Sequence, residues 1–190
     1  MLSAYATYEI PFGHGKHWGS GSNAVVNGIA GGWSVNPIVS WHSGFPVALY
    51  DFNFANGDSA ATGSRGLRPD CGSGAGKTFG RQKYFDPSSG EFAGYRWFDP
   101  TPYTDPANVF GTCPAQGPVV GPGYADVDLS LQKNFPITER VRLQFRGDFL
   151  NTFNHVNLYT PNSSCCGGTM GVVSTSSSPR NIQFALKLYY

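Results

Sequence analysis

The residues able to do chemistry in this 190-residue chain are few: four histidines, four cysteines and twelve acidic groups. Cys71-Gly-Ser-Gly-Ala-Gly-Lys-Thr78 looks at first like a phosphate-binding loop. That motif needs GxxxxGK[ST], and Cys71 stands where its first glycine belongs, with no apolar strand before it. A flexible loop tip is the better reading. His14 and His17 flank a Gly-Lys turn, and His42 and His155 are isolated, so no set of converging metal donors forms. No serine lies in a G-x-S-x-G elbow. Asp126, Asp128 and Asp148 could suggest an acid pair for glycoside hydrolysis, which needs one carboxyl in an apolar pocket. Arg142 and Arg146 would instead keep all three ionised. The five are expected to form a ladder of charges along one polar face. Cys71, Cys113, Cys165 and Cys166 fit neither a CxxC pair nor a zinc ribbon. A disulfide between Cys71 and Cys113 is expected, in an oxidising compartment. The pairing of the adjacent Cys165 and Cys166 stays open. The sequence therefore supplies no catalytic residue, metal site or cofactor site, and an enzyme is not expected.

The elements that carry these residues read as strands. Val141, Leu143, Phe145, Gly147 and Phe149 alternate with Arg140, Arg142, Gln144, Arg146 and Asp148. Ala125, Val127, Leu129 and Leu131 alternate with Asp126, Asp128, Ser130 and Gln132. Ile182, Phe184, Leu186, Leu188 and Tyr190 alternate with Gln183, Ala185, Lys187 and Tyr189. Period-2 alternation marks strands whose two faces meet different surroundings. The first two runs are joined through Pro136, which presets a turn over residues 134–139. Pairing Leu131 with Leu143 would set Asp128 opposite Arg146. Two further strands are expected over residues 2–10 and 32–48, the second weakened by Pro37. The meander then comprises about five strands: 2–10, 32–48, 124–135, 139–153 and 181–190. Between them lie two long irregular segments, 51–123 and 154–180.

Composition narrows the class. Charged residues make up 13% of the chain and aromatics 15%, with 25 glycines and 14 prolines. Long helices and coiled coils are excluded by that glycine and proline content. A formal net charge of +1 leaves no electrostatic footprint for nucleic acid. No apolar stretch approaches a membrane helix, and no secretory signal is visible at Met1. Short turns at one end and long loops at the other, with aromatics at strand ends, are the organisation of an outer-membrane barrel. An exposed terminal Leu-Tyr-Tyr strand would be an aggregation hazard in a soluble sheet. In the long loop, Tyr50, Phe52, Phe54, Tyr84, Phe85, Tyr95, Trp97, Phe98 and Tyr103 either present flat surfaces to a sugar or peptide or pack the loop on itself.

GPGYADVDLSLQKNFPITERVRLQFRGDFLNTFNHVNL (121–158) resembles the penultimate hairpin of TonB-dependent outer-membrane receptors, the Oar-like subgroup in particular. PRNIQFALKLYY (179–190) is similar to their closing strand. YEIPFGHGKHW, GGWSVNPIVSWHSGFPV, RPD at 68–70 and WFDPTPYTDP at 97–106 follow the same order. The resemblance implies an all-β fold: an antiparallel meander forming the C-terminal segment of a transmembrane β-barrel of about 22 strands, with two long extracellular loops. It implies location in the bacterial outer membrane, ligand capture by the loops, and uptake energised by the TonB complex through an N-terminal plug. No segment of residues 1–190 resembles that plug, so the chain is expected to be part of a longer receptor. Expected partners are outer-membrane lipid, the barrel-assembly machinery, TonB and an unidentified extracellular ligand. Ile182, Phe184, Leu186, Leu188 and Tyr190 would be the assembly signal, and Asp126, Asp128, Arg142, Arg146 and Asp148 would face the lumen. The alternative is a small secreted β-sandwich or adhesin binding glycans through the aromatic loop.

Overall fold

The computed structural model describes residues 1–51, 68–106 and 111–190. In chain order the elements are β1 (Leu2–Tyr5), β2 (Tyr8–Glu9), α1 (Ala24–Ala30), β3 (Trp33–His42), β4 (Pro46–Val47), β5 (Tyr50–Asp51), β6 (Asp70–Cys71) and β7 (Thr78–Phe85). There follow β8 (Phe92–Phe98), β9 (Tyr103–Thr104), β10 (Val119–Val120), β11 (Tyr124–Pro136), β12 (Arg142–Leu150), β13 (Ser164–Cys165), β14 (Val172–Val173) and β15 (Asn181–Tyr189). They fall into two compact units, one holding residues 1–42, 125–156 and 178–190, the other 43–124 and 157–177.

The first unit is an antiparallel sheet in the order β1-β3-β11-β12-β15, with β2 also paired to β3. Alternating sequences form it because a period of two puts every second side chain on the same face. Leu129, Phe149 and Ile182 share one row; Leu131, Gly147 and Phe184 the next; then Lys133, Phe145 and Leu186; then Phe135, Leu143 and Leu188. The opposite face carries Ser130, Asp148 and Gln183, then Gln132, Arg146 and Ala185, then Asn134, Gln144 and Lys187.

Two expectations about this sheet need correction. Leu131 pairs with Gly147 rather than Leu143, and Arg146 lies opposite Gln132 rather than Asp128. The reason is Pro136, which closes the ladder opposite Arg142 instead of making the turn. The turn falls later, where the amides of Ile137 and Thr138 both donate to the Val141 carbonyl at 2.9 and 3.0 Å. A strand's last residue loses little by lacking an N–H. Residues 2–10 are not one strand either. The break between β1 and β2 lies opposite Pro37, whose carbonyl accepts from the Ala6 amide at 3.2 Å. Carbonyl and nitrogen of one residue face the same neighbour in an antiparallel ladder, so the missing proline N–H falls on this side.

The second unit corrects the reading of 51–123 and 154–180 as irregular. Its described residues contain a three-stranded sheet, β14-β8-β7, and three two-stranded pairs: β10-β4, β13-β5 and β6-β9. Most of these strands are two residues long, and β7 and β8, of eight and seven residues, carry no clean apolar/polar alternation to read. Among the described residues, all the buried hydrophobic side chains belong to this unit: Val47, Leu49, Phe98, Tyr103, Cys113, Val119, Leu158, Met170, Val172 and Val173.

Candidate functional site

The sheet leaves uncovered apolar side chains that a soluble domain would bury. Every residue of β15 is exposed, Phe184 and Leu186 at 67% each. In water each such side chain would forgo about 1.5–3 kcal/mol of burial. The rings are nevertheless ordered: Phe184 stacks on Phe145 at 5.9 Å and meets Phe149 edge-on at 6.4 Å, while Trp33 meets Phe145 at 6.0 Å. Gly147 makes the arrangement possible, because a Cβ there would lie 3.2 Å from the Phe184 ring. This apolar, aromatic face is built for a hydrocarbon solvent.

On the opposite face Asp126, Asp128, Arg142, Arg146 and Asp148 each have separate partners and do not converge. Arg146 Nε bonds Asp148 Oδ1 at 2.8 Å on its own strand. Asp128 Oδ1 accepts from the Asn151 amide at 2.8 Å, and Asp126 Oδ1 from the Val127 amide at 3.0 Å. Arg142 lies over the Tyr189 ring at 4.6 Å, at the short-turn end of the sheet. No acid pair in an apolar pocket results. At the far end of β12, Asn151 follows the strand's last residue. It has a positive φ of 51°, and its side chain exchanges hydrogen bonds with the His155 backbone at 2.8 and 3.0 Å.

The long segments fold around a staple. Cys71 and Cys113 are disulfide-bonded across a sequence separation of 42, and Cys165 is bonded to Cys166. The Arg68-Pro69-Asp70 motif clamps the same place: Arg68 Nη1 donates to the Cys113 carbonyl at 3.0 Å, and Asp70 Oδ1 accepts from the Thr112 amide at 2.8 Å. Thr112 Oγ1 in turn accepts from the Cys71 amide at 2.9 Å. The apparent phosphate-binding loop is the turn beside this staple, and β7 rather than a helix follows it. Asp105 lies with the sulfurs of Cys165 and Cys166, its carboxylate within 4.8 Å of both. Sulfurs bonded to each other are not thiolate ligands.

The aromatic side chains divide between core and surface. Phe98 and Tyr103 meet edge-on at 5.8 Å inside the core, and the Tyr103 hydroxyl accepts from the Gly76 amide at 2.9 Å. Burial pushes the Tyr103 phenol up from its ordinary value, offset by that bond and reinforced by Asp99. The Thr101 hydroxyl and amide hold Asp99 below the usual carboxylate range. Trp97 Nε1 donates to the Val120 carbonyl at 2.8 Å. Arg96 ties β8 to the 157–177 segment, donating to the carbonyls of Gly168 at 2.8 Å and Met170 at 3.2 Å beneath the Tyr84 ring. Phe85 and Phe92, by contrast, stand half-exposed at the tip of the β7-β8 hairpin, 6.1 Å apart, with Tyr95 5.4 Å from Phe92. Phe52 and Phe54 lie outside the described residues. Arg96 and Lys133 were not singled out by the sequence patterns, since each is one cation in a run with no partner at short spacing.

A sheet with one apolar face, uncovered at β15, and one polar face is what a barrel strand presents to lipid and to water. No described helix is long and apolar enough to cross a membrane. A family model described as an outer membrane beta barrel domain matches residues 1–183, and the chain belongs to that family. Its place is the bacterial outer membrane. No curated protein and no solved structure matches the chain. The β-sandwich alternative falls with this match and with the uncovered apolar side chains of β15.

Proposed function

We propose that the chain is the C-terminal barrel portion of a TonB-dependent outer-membrane receptor of the Oar-like kind, a transporter rather than an enzyme. The observation that carries the reading is the second unit. Two long inter-strand segments build one stapled body with its own buried core, Val47, Leu49, Phe98, Val119 and Met170 among its members. A barrel serving only as an anchor has no use for such a body; a receptor that must hold a ligand at the cell surface does. In this reading Phe85 and Phe92 offer the ligand a flat apolar surface, and the Asp126, Asp128, Arg142, Arg146 and Asp148 face lines the lumen. Ile182, Phe184, Leu186, Leu188 and Tyr190 are read by the barrel-assembly machinery. In this reading the 137–141 turn lies on the periplasmic side, where barrels of this kind keep their short turns. Uptake would draw on the TonB complex through a plug.

The test is retention of the full-length receptor, in detergent, on the immobilised periplasmic domain of TonB. Retention that a soluble excess of the same domain competes away is the expected result. Passage of a folded receptor through the column without delay would overturn the TonB assignment while leaving the barrel intact.

A further inference from the structure

The connection between β2 and β3 contains a helix that the barrel does not require. α1 has seven residues, Ala-Val-Val-Asn-Gly-Ile-Ala, none charged and none buried. Val25, Val26 and Ile29 are 68%, 42% and 69% exposed. A helix this short does not persist in water on its own propensity. Its ends are nevertheless fixed. The Asn23 side chain accepts from the Val26 amide at 2.8 Å, and Asn27 Oδ1 accepts from the His14 amide at 2.7 Å.

The C-terminal end of α1 is pinned to the sheet's apolar face. Lys133 Nζ donates to the carbonyls of Ile29, at 2.8 Å, and Gly31, and Trp33 Nε1 donates to the same Ile29 carbonyl at 2.9 Å. Lys133 stands in the row of Phe145 and Leu186, the face that meets hydrocarbon. A lysine on the lipid face of a barrel costs up to about 2–4 kcal/mol at mid-bilayer and little at the rim. Here Lys133 is only 3% exposed, and its ammonium is met by the helix carbonyls and by the rings of Trp33 and Phe135 at 5.4 and 5.0 Å. Lys133 thus satisfies the open carbonyls of α1, and α1 covers the charge of Lys133. The approach to the helix, residues 13–18, carries His14, Lys16, His17 and an exposed Trp18. Basic and aromatic side chains beside apolar ones are the composition of a membrane interface.

We propose that α1 is an interfacial helix, seated at the boundary of the periplasmic leaflet with Val25, Val26 and Ile29 among the phospholipid acyl chains. The argument for that occupant is continuity: the helix is held on the same face, at the rim, as the lipid-covered rows of β11, β12 and β15. It rests on the assignment of that face to lipid and on the periplasmic placement of the short-turn end.

The test uses nitroxide labels on cysteines introduced singly, Val25→Cys, Ile29→Cys, Leu186→Cys and, in the exposed turn between β7 and β8, Ser88→Cys, in the full-length protein folded into phosphatidylethanolamine and phosphatidylglycerol vesicles. The described native cysteines are all disulfide-bonded and do not compete for the label. The ratio of oxygen to nickel-chelate collision rates is expected to be at least about threefold higher at Val25, Ile29 and Leu186 than at the aqueous reference Ser88. A lipid-like value at Leu186 with water-like values at Val25 and Ile29 would overturn the interfacial helix alone. Water-like values at all three would overturn the lipid-facing assignment with it.

Discussion

Removing the Cys71–Cys113 staple tests whether the second unit is an independently held body. The bond closes a sequence separation of 42, and the chain-entropy relation for a loop of that length gives about 4 kcal/mol. Alanine at both positions keeps the buried Cys113 site apolar, so the change is dominated by the lost cross-link rather than by a buried hydroxyl. The hydrogen bonds of Arg68, Asp70 and Thr112 hold the same junction but do not shorten the unfolded loop. About 4 kcal/mol corresponds to a roughly thousandfold rise in the open population of the unit. Native-state proteolysis of the folded protein in vesicles reads that population directly when reclosing is fast. With thermolysin, cleavage within residues 68–106 should accelerate by about a hundredfold or more in the Cys71→Ala, Cys113→Ala variant. Cleavage within β11, β12 and β15 should be unchanged. Acceleration below about threefold, or equal acceleration in the sheet strands, would refute the account of a stapled and separately folding unit.

Three further outcomes follow from the same structure. Gly94 has φ +135°, and a Cβ there would lie 2.2 Å from the Val173 carbonyl oxygen, so Gly94→Ala should break the β8-β14 pairing and cost about 2–4 kcal/mol, read as lost amide protection at Val172 and Val173. Leu186→Arg on the lipid face should destabilise the folded barrel by up to about 2–4 kcal/mol in denaturant titrations in vesicles, whereas Ala185→Arg, on the polar face opposite Arg146, should cost far less; equal costs would contradict the assignment of faces. Tyr103 is raised above its ordinary value of 10.0, chiefly by burial, so its contribution to the second unit is complete below that value and is lost as pH rises through the folded value. Proteolysis of the second unit should accelerate on that alkaline limb, and Tyr103→Phe should flatten the dependence while losing the Gly76 hydrogen bond.

The strands of the sheet were legible because alternation is a local property. Each of Ile182, Phe184, Leu186 and Leu188 declares its face through its immediate neighbours, and the lack of charge on that face declares the solvent. The register was not legible. Shifting a hairpin by two or four residues keeps every side chain on its face, so alternation alone does not distinguish Leu131–Leu143 from the observed Leu131–Gly147. What separates them is where the chain turns, and Pro136 serves equally as a turn residue or as a strand's final position. α1 had a weak signature, Asn23 as cap with Val25, Val26 and Ile29 at helical spacing, which Gly28 and the shortness of the segment obscured.

The sequence by itself determined the class of this protein: strands with one face for hydrocarbon and one for water, short turns at one end, long segments at the other. Those are consequences of residue period and composition, and need no partner across the fold. Tertiary structure alone decided what the long segments are and what Lys133 does. The second unit exists because residues far apart, Val47 with Val119 and Phe98 with Met170, exclude water together around a cross-link, and no stretch of sequence shows that core alone. Lys133 interrupts an apolar row, and reads there as an error in the pattern. Only the fold brings carbonyls more than a hundred positions earlier in the chain to its ammonium, because a charge at the edge of the bilayer is stable where backbone dipoles and aromatic rings take the place of its water.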